Sequence, residues 1–233
     1  MVRVYVIHCP LWAPERRPMI EENLNKRGFT DVVWVTSYPA KHPFVLWLWE
    51  RLGKHLGPPG ISGLVKHLEA MRLFINDPTS EDGAIFCDDD CLFVKNWKEA
   101  LEQIPPDFPF VNLSVGVNFN ILPEGKPINL GINNGGCEAM WKSKEFCRFL
   151  LQNIDARCGM DHVYGAMMRY LNVPLICIPI IQQTSLLVEQ IKAENNESVP
   201  YHLNWFEFVN NFKPTGLSYE DLWNESGIAR ESA

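Results

Sequence analysis

The stretch GAIFCDDDCLF, Gly83 to Phe93, decides how this chain is read. Four small or apolar residues, Ala84 to Cys87, run directly into Asp88, Asp89 and Asp90, after which apolar sequence resumes. Neighbouring carboxylates held about 4 Å apart repel by about 4 kcal/mol at an effective dielectric near 20. A solvated acidic turn between two strands is the ordinary reading of such a triplet. The tight apolar bracket on both sides favours another, in which a divalent cation offsets the repulsion. Hard Mg²⁺ or Mn²⁺ accepts carboxylate oxygens and usually takes one or two of them together with substrate phosphates. The triplet therefore points to a metal–diphosphate site.

The surrounding sequence supplies a suitable scaffold. Val2 to Ile7 reads as a buried strand. Pro14 and Pro18, the Ile20/Leu24 pair and Gly28 mark a helix, and Val32 to Val35 a second strand. Strand, helix, strand opens a parallel α/β sheet. After the turn Gly57 to Gly60, Ser62 reads as an N-cap for a helix whose apolar face is Leu64, Leu68, Met71 and Ile75. Asn76 to Gly83 breaks that helix and leads into the acidic strand. Asn96 to Ile104 then reads as a short helix and Pro109 to Val115 as a strand. Gly135-Gly136 marks a turn, Ser143 caps a helix, another helix begins near Asp161, and Pro174 to Ile181 is a buried strand. Beyond Val188 the chain turns polar, and it ends in a polar tail read as mobile. The expectation is one domain over residues 1–233, with residues 189–233 as a peripheral loop and C-terminal segment.

Composition narrows the class. The 46% hydrophobic and 21% charged content is that of a soluble globular chain. A net charge of −7 without a Lys/Arg cluster argues against nucleic-acid binding. Seven cysteines, an odd number with no Cys-x-x-Cys pair, fit reduced thiols better than a disulfide scaffold or structural zinc. No signal peptide and no transmembrane segment is visible, so a cytoplasmic location is expected.

In open α/β sheets ligands bind beyond the carboxyl ends of the strands, where the triplet lies. Alternation along extended chain sends Asp88 and Asp90 one way and Asp89 the other. This arrangement resembles the Asp-x-Asp motif of glycosyltransferases with the GT-A fold. It is similar in particular to glycosyltransferase family 25, the lipopolysaccharide-core and collagen galactosyltransferase type, which includes small viral or bacterial relatives. The segments that carry the likeness are VYVIHCP, ERRPMIEENLNKRGF, GLVKHLEAMRLF, AIFCDDDCLF, GGCEAMWKSKEFCRFLL, GMDHVYGAMM and LICIPIIQQTS. They span roughly residues 2 to 185. Lys66 stands where the family carries Ser before the histidine, and Cys87-Asp88 replaces an acidic start.

The resemblance implies a Rossmann-like, nucleotide-binding, mixed and mainly parallel sheet flanked by helices. It implies a Mn²⁺- or Mg²⁺-dependent enzyme, a hexosyl- or deoxyhexosyltransferase. Such an enzyme moves a sugar from a nucleotide donor, expected to be UDP-linked, to a glycan hydroxyl. Asp90 is then the metal ligand, Asp88 meets the metal's outer shell or the donor ribose, and Asp89 assists either. Asp161 reads as a helix N-cap or, by the resemblance, as the general base of an inverting displacement. Lys66 and His67 read as ordinary helix residues or as donor-diphosphate contacts. Gly135 and Gly136 form a plain turn or admit the donor sugar against backbone. Arg16 and Arg17 are surface charge or reach the nucleotide, and His8 and Cys9 lie where a base would sit. His202 is a structural histidine or a late metal ligand. Trp47 and Trp49 pack in the core or stack on an acceptor sugar, and Glu189 to Ser198 is a loop that closes over the donor or a simply disordered stretch.

Two other classes are weighed. Aspartate-dependent phosphohydrolases also carry Asp-x-Asp after an apolar strand, but typically on the first strand and with a hydroxyl residue soon after, which is missing here. Eight tryptophans suggest a non-catalytic carbohydrate-binding module.

Overall fold

The run Val4–Ile7 is buried throughout, and it forms strand β1 at the heart of the fold. A computed structural model describes residues 2–114, 128–131, 138–157, 159–183 and 211–230. After β1 come α1 (Arg16–Lys26), β2 (Val32–Val35), α2 (Pro43–Arg51), α3 (Pro58–Asn76), β3 (Gly83–Asp88) and β4 (Cys91–Phe93). Then follow α4 (Trp97–Leu101), β5 (Phe110–Ser114), β6 (Ile128–Gly131), β7 (Ala139–Ser143) and α5 (Lys144–Leu151). α6 (Met160–Tyr170), β8 (Leu175–Gln183) and α7 (Tyr219–Ser226) complete the described elements.

The strands form one mixed sheet in the order β2-β1-β3-β7-β5-β8-β4, with β6 pairing β8 off that path. β1, β2, β3, β5 and β8 share one direction, while β4, β6 and β7 run against them. The fold is thus mixed α/β, with most strands parallel in direction and helices on both faces, as expected. α2, α3, α5, α6 and α7 cover one face around Phe44, Leu68, Phe86 and Tyr164. α1 and α4 cover the other around Ile20, Ile85, Phe93 and Trp97.

Asp89 and Asp90 alone join β3 to β4. Yet β3 and β4 are four positions apart in the sheet, about 19 Å if it were flat. From Asp88 to Cys91 the chain reaches at most about 10 Å. The sheet must therefore curl, and β8 carries the bend. Asn112 pairs with Cys177 and Ser114 with Ile181, so a shift of two residues on β5 is matched by four on β8. Pro179 sits inside that irregularity, where its missing N–H leaves no ladder bond to lose.

Several local readings change. Ser62 does not cap α3: the helix begins four residues earlier, at Pro58 with Gly57 as N-cap, because the Gly57–Gly60 turn itself starts it. Asp161 is the second residue of α6, and Gly159 occupies the cap. Ser143 caps α5 as expected, its hydroxyl accepting from Phe146 N at 3.1 Å. Trp47 and Trp49 pack against the core. The C-terminal tail is helical in α7 and buries Tyr219, Leu222 and Trp223, the last stacked on Phe44 at 3.5 Å.

Gly83 opens β3 because Trp141 lies across it. A Cβ there would stand 2.0 Å from the Trp141 ring. Gly83→Ala should cost about 1–3 kcal/mol of unfolding free energy by overpacking. Urea denaturation measures it, and wild-type stability would contradict this packing.

Candidate functional site

The candidate site grows from the carboxyl ends of β1 and β3, parallel neighbours paired Ile7 to Asp88. Residue alternation in β3 sends Ala84 and Phe86 toward α3 and Ile85 and Cys87 toward α1. Asp88 continues the first series, and its Oδ1 lies 3.2 Å from His67 Nε2 on α3. Asp89 turns to the β1 side. His8 Nδ1 donates to its Oδ2 at 2.7 Å, Arg16 Nη1 to its Oδ1 at 3.0 Å, and Cys9 N to Oδ2 at 3.4 Å. Asp89 therefore ties the acidic turn to β1 and to the start of α1. Asp90 is buried, and among the described residues its carboxylate has only the Cys91 sulfur near it, at 3.5 Å, whose single proton has a closer acceptor in the Glu138 carbonyl at 2.9 Å.

These three residues share the rim and floor of a cavity of about 670 Å³ with His8, Cys9, Arg16 and Lys66. Sequence-expected residues from three separate segments thus meet in one place. His67 stands behind the floor against Asp88. Arg17 instead pairs with Glu21 on the α1 surface and lies over the Trp34 ring. Gly135, Gly136, His202 and the 189–198 loop lie outside the described residues, as does the Asp161 side chain.

The electrostatics follow from burial. Desolvation, then the charge of Asp89, raises the Asp88 carboxyl above its ordinary value, an effect that solvent reduces because 41% of the side chain is exposed. Desolvation, then Asp88, Glu138 and Asp89, pushes Asp90 up to about 8. Burial, followed by the Lys142 and Lys66 charges, holds His67 down to about 3, so its imidazole is neutral. Lys66 is almost fully buried, and desolvation lowers its pKa. Its Nζ donates to Ser62 Oγ at 3.0 Å, and Ser62 in turn donates to the Tyr38 carbonyl at 2.7 Å. Tyr38 adopts a φ of 61°, a strained left-handed conformation for an aromatic residue.

Sequence reasoning missed several contributors. Ser62 was legible only as a cap. Leu11 and Trp12, 81% and 61% exposed, form an apolar lip on the cavity, and Lys41 lies on the same wall. Glu138 is buried beside the acidic turn: its carbonyl accepts Asp88 N at 2.7 Å, and its carboxylate accepts Ser114 Oγ. Only its place in GGCEAMW, just before a strand, could have hinted at it.

Among the described residues no group of three His, Cys, Asp or Glu side chains is arranged to hold a metal. Asp88 and Asp90 are two hard oxygen donors that resist ionising together, beside a cavity with room for phosphate. That suits a Mg²⁺- or Mn²⁺-type ion completing its shell with phosphate and water.

Fold and site together define an α/β protein with a charged cavity at the carboxyl edge of its sheet. No protein-family model matches the sequence, and no curated protein matches it. Among solved structures it is similar to a mutant of Drosophila β-1,4-galactosyltransferase 7 in complex with manganese, UDP-Gal and xylobiose. The identity is 8%, the TM-score 0.48, and the match covers 94% of this chain and 84% of that one. No helix among the described residues is long and apolar enough to cross a membrane.

The raised carboxyls predict a pH dependence. A carboxyl with a higher pKa in the folded than in the unfolded state stabilises the fold only while protonated, so its contribution is lost as pH rises. His67 has the opposite sign, but above about pH 6.5 it is mostly neutral in both states. Cation-free protein should therefore melt at progressively lower temperature between about pH 6.5 and pH 8, the upper limit set by Asp90. Asp90→Asn should flatten the slope in differential scanning fluorimetry.

Proposed function

We propose that the chain is a metal-dependent glycosyltransferase of the GT-A, family 25-like type. It transfers a hexosyl or deoxyhexosyl group from a nucleotide sugar, UDP-linked by preference, to a carbohydrate hydroxyl. One observation carries the reading. A buried lysine and three consecutive aspartates face one cavity at the strand ends, where open α/β sheets bind ligands.

In this reading Asp90 and Asp88 hold Mn²⁺ or Mg²⁺ against the donor diphosphate. The bound ion acts as a Lewis acid that offsets charge on the departing nucleoside diphosphate. Lys66 and Arg16 flank the phosphates, with Arg16 aimed by its bond to Asp89. His8 and Cys9 line the nucleoside end of the cavity, and the exposed Trp12 ring offers the base a stacking face. Asp161, at the start of α6, is assigned as the base that takes the acceptor hydroxyl proton, which makes the reaction inverting. Gly135, Gly136 and His202 retain their sequence-based roles in this proposal, toward the donor sugar and the metal. A cytoplasmic setting also belongs to it.

Calorimetric titration with UDP, with and without Mn²⁺, tests the reading directly. Binding should require the ion and vanish in Asp90→Ala. Metal-indifferent binding, or hydrolysis of simple phosphate esters in place of nucleotide sugars, would overturn it. Trp12→Ala should weaken UDP binding by about 1–3 kcal/mol, the worth of one base–aromatic stack, while leaving the melting temperature in place.

A further inference from the structure

Ser62 and Lys66 stand one turn apart on α3, and both are buried while lining the cavity. A serine inside a helix commonly returns its hydroxyl to the carbonyl four residues earlier. Ser62 instead donates to the Tyr38 carbonyl at 2.7 Å, in the loop between β2 and α2. A hydroxyl has one proton and two lone pairs. With that proton committed to Tyr38, the oxygen can only accept on its other side, and there Lys66 Nζ donates to it at 3.0 Å. Tyr38 directly precedes Pro39, Ala40 and Lys41, which line the same cavity, so the relay ties Lys66 to a second segment of the wall. A lysine ammonium carries three donors. Ser62 accepts one, and among the described residues no other acceptor or carboxylate pairs with Lys66. Asp88 and Asp89 share the cavity but are engaged elsewhere, Asp88 by His67 and Asp89 by His8 and Arg16.

We propose that Ser62 is a positioning residue for Lys66: it fixes the amine on the cavity wall and leaves two of its donors for the diphosphate oxygens of the nucleotide. This rests on the nucleotide-sugar reading above. A lysine stem is flexible and loses much freedom when its ammonium docks on a phosphate. An amine already held by Ser62 has met that loss on folding, so the ligand does not meet it again on binding. A hydroxyl is suited to the task because it is neutral. It orients the ammonium without cancelling its charge, whereas a carboxylate in the same place would pair with the lysine and weaken its attraction for phosphate.

Calorimetric titration of the full chain with UDP in the presence of Mn²⁺ tests this as a double-mutant cycle. Lys66→Met should weaken UDP binding by at least about tenfold, the effect of losing one hydrogen bond to a charged group. Ser62→Ala should weaken it about three- to tenfold, the effect of leaving one long side chain to be ordered by the ligand. Ser62→Cys is close to serine in size but a weak acceptor, so it should show the same loss in a protein that keeps its packing. In Lys66→Met protein, either Ser62 substitution should change UDP affinity by less than about twofold, because no amine remains for the hydroxyl to aim. A merely structural role predicts that the Ser62 loss persists in full beside Lys66→Met, and that result overturns the proposal. Wild-type affinity in both Ser62→Ala and Ser62→Cys overturns it too, and leaves the metal-dependent reading intact if Asp90→Ala has lost the nucleotide. If UDP binds equally well without Mn²⁺ while the Ser62–Lys66 coupling persists, the metal-dependent reading falls and the positioning role stands. If the wild-type chain does not bind UDP at all, both fall.

Discussion

Asp89 and Asp90 must carry the chain from β3 to a strand on the far side of the sheet, and this short link organises the rest of the molecule. It permits no flat sheet; the β5–β8 register shifts across Pro179, and the last residues of β8, Ile181 to Gln183, pair with β4. It also leaves the turn little freedom to relax. The Asp88 amide bonds to the Glu138 carbonyl, Asp89 is held by β1 and α1, and Cys91 already belongs to the next strand. The direction of each carboxylate is thereby a consequence of topology. Side chains placed by three converging backbones are more precisely held than any placed by a free surface loop.

Three adjacent aspartates are tolerated because the fold gives them different surroundings. Asp89 is neutralised within the protein by Arg16 and hydrogen-bonded by His8 and the Cys9 amide. Asp88 faces a histidine that burial keeps uncharged, so it gains no ion pair there. Among the described residues Asp90 meets only the Cys91 sulfur, a weak donor whose proton lies nearer the Glu138 carbonyl. The charge problem posed by the sequence is thus solved at one residue and left open at two. Of these two, Asp88 follows the β3 alternation toward α3, and Asp90 lies in the turn that leads into β4.

Much of the scaffold was legible. Buried β-branched runs and proline–glycine punctuation located β1, β2, β3 and β8 and the helices between them, because local pattern and tertiary burial agree there. The acidic triplet stood out because charges seldom interrupt core-seeking sequence without a reason. What could not be read depends on contacts distant along the chain. The His8–Asp89 bond joins residues 81 apart, and Ser62 meets Tyr38 across 24. Ser62 looked like a cap because serine before an apolar helical face commonly is one. Its hydroxyl instead relays Lys66 to a loop carbonyl. Glu138 gained its meaning only when β7 proved to lie antiparallel between β3 and β5, a direction that strand periodicity does not encode. The C-terminal helix was missed because α7 spaces only Tyr219, Leu222 and Trp223 among polar residues, and its burial comes from Phe44 and Tyr38 on other elements.

Taken together, the cavity gathers groups that the polypeptide alone serves poorly. Among the described residues Lys66 is desolvated with one hydroxyl acceptor, burial raises the Asp90 carboxyl, and Tyr38, next to the lining residue Pro39, has a left-handed backbone angle. None of these arrangements lowers the free energy of the folded chain by itself, so the surrounding core must sustain them. It does so with extensive burial on both sheet faces, including a second buried lysine, Lys142, whose Nζ donates to the Tyr164 hydroxyl between two aromatic rings. A ligand that brings anionic oxygens toward Lys66 and a cation toward Asp88 and Asp90 would relieve several of these costs at once. Binding and stability are then coupled by mass action. Charged groups gathered in one cavity with few partners of their own are what a site preorganised for a charged ligand requires.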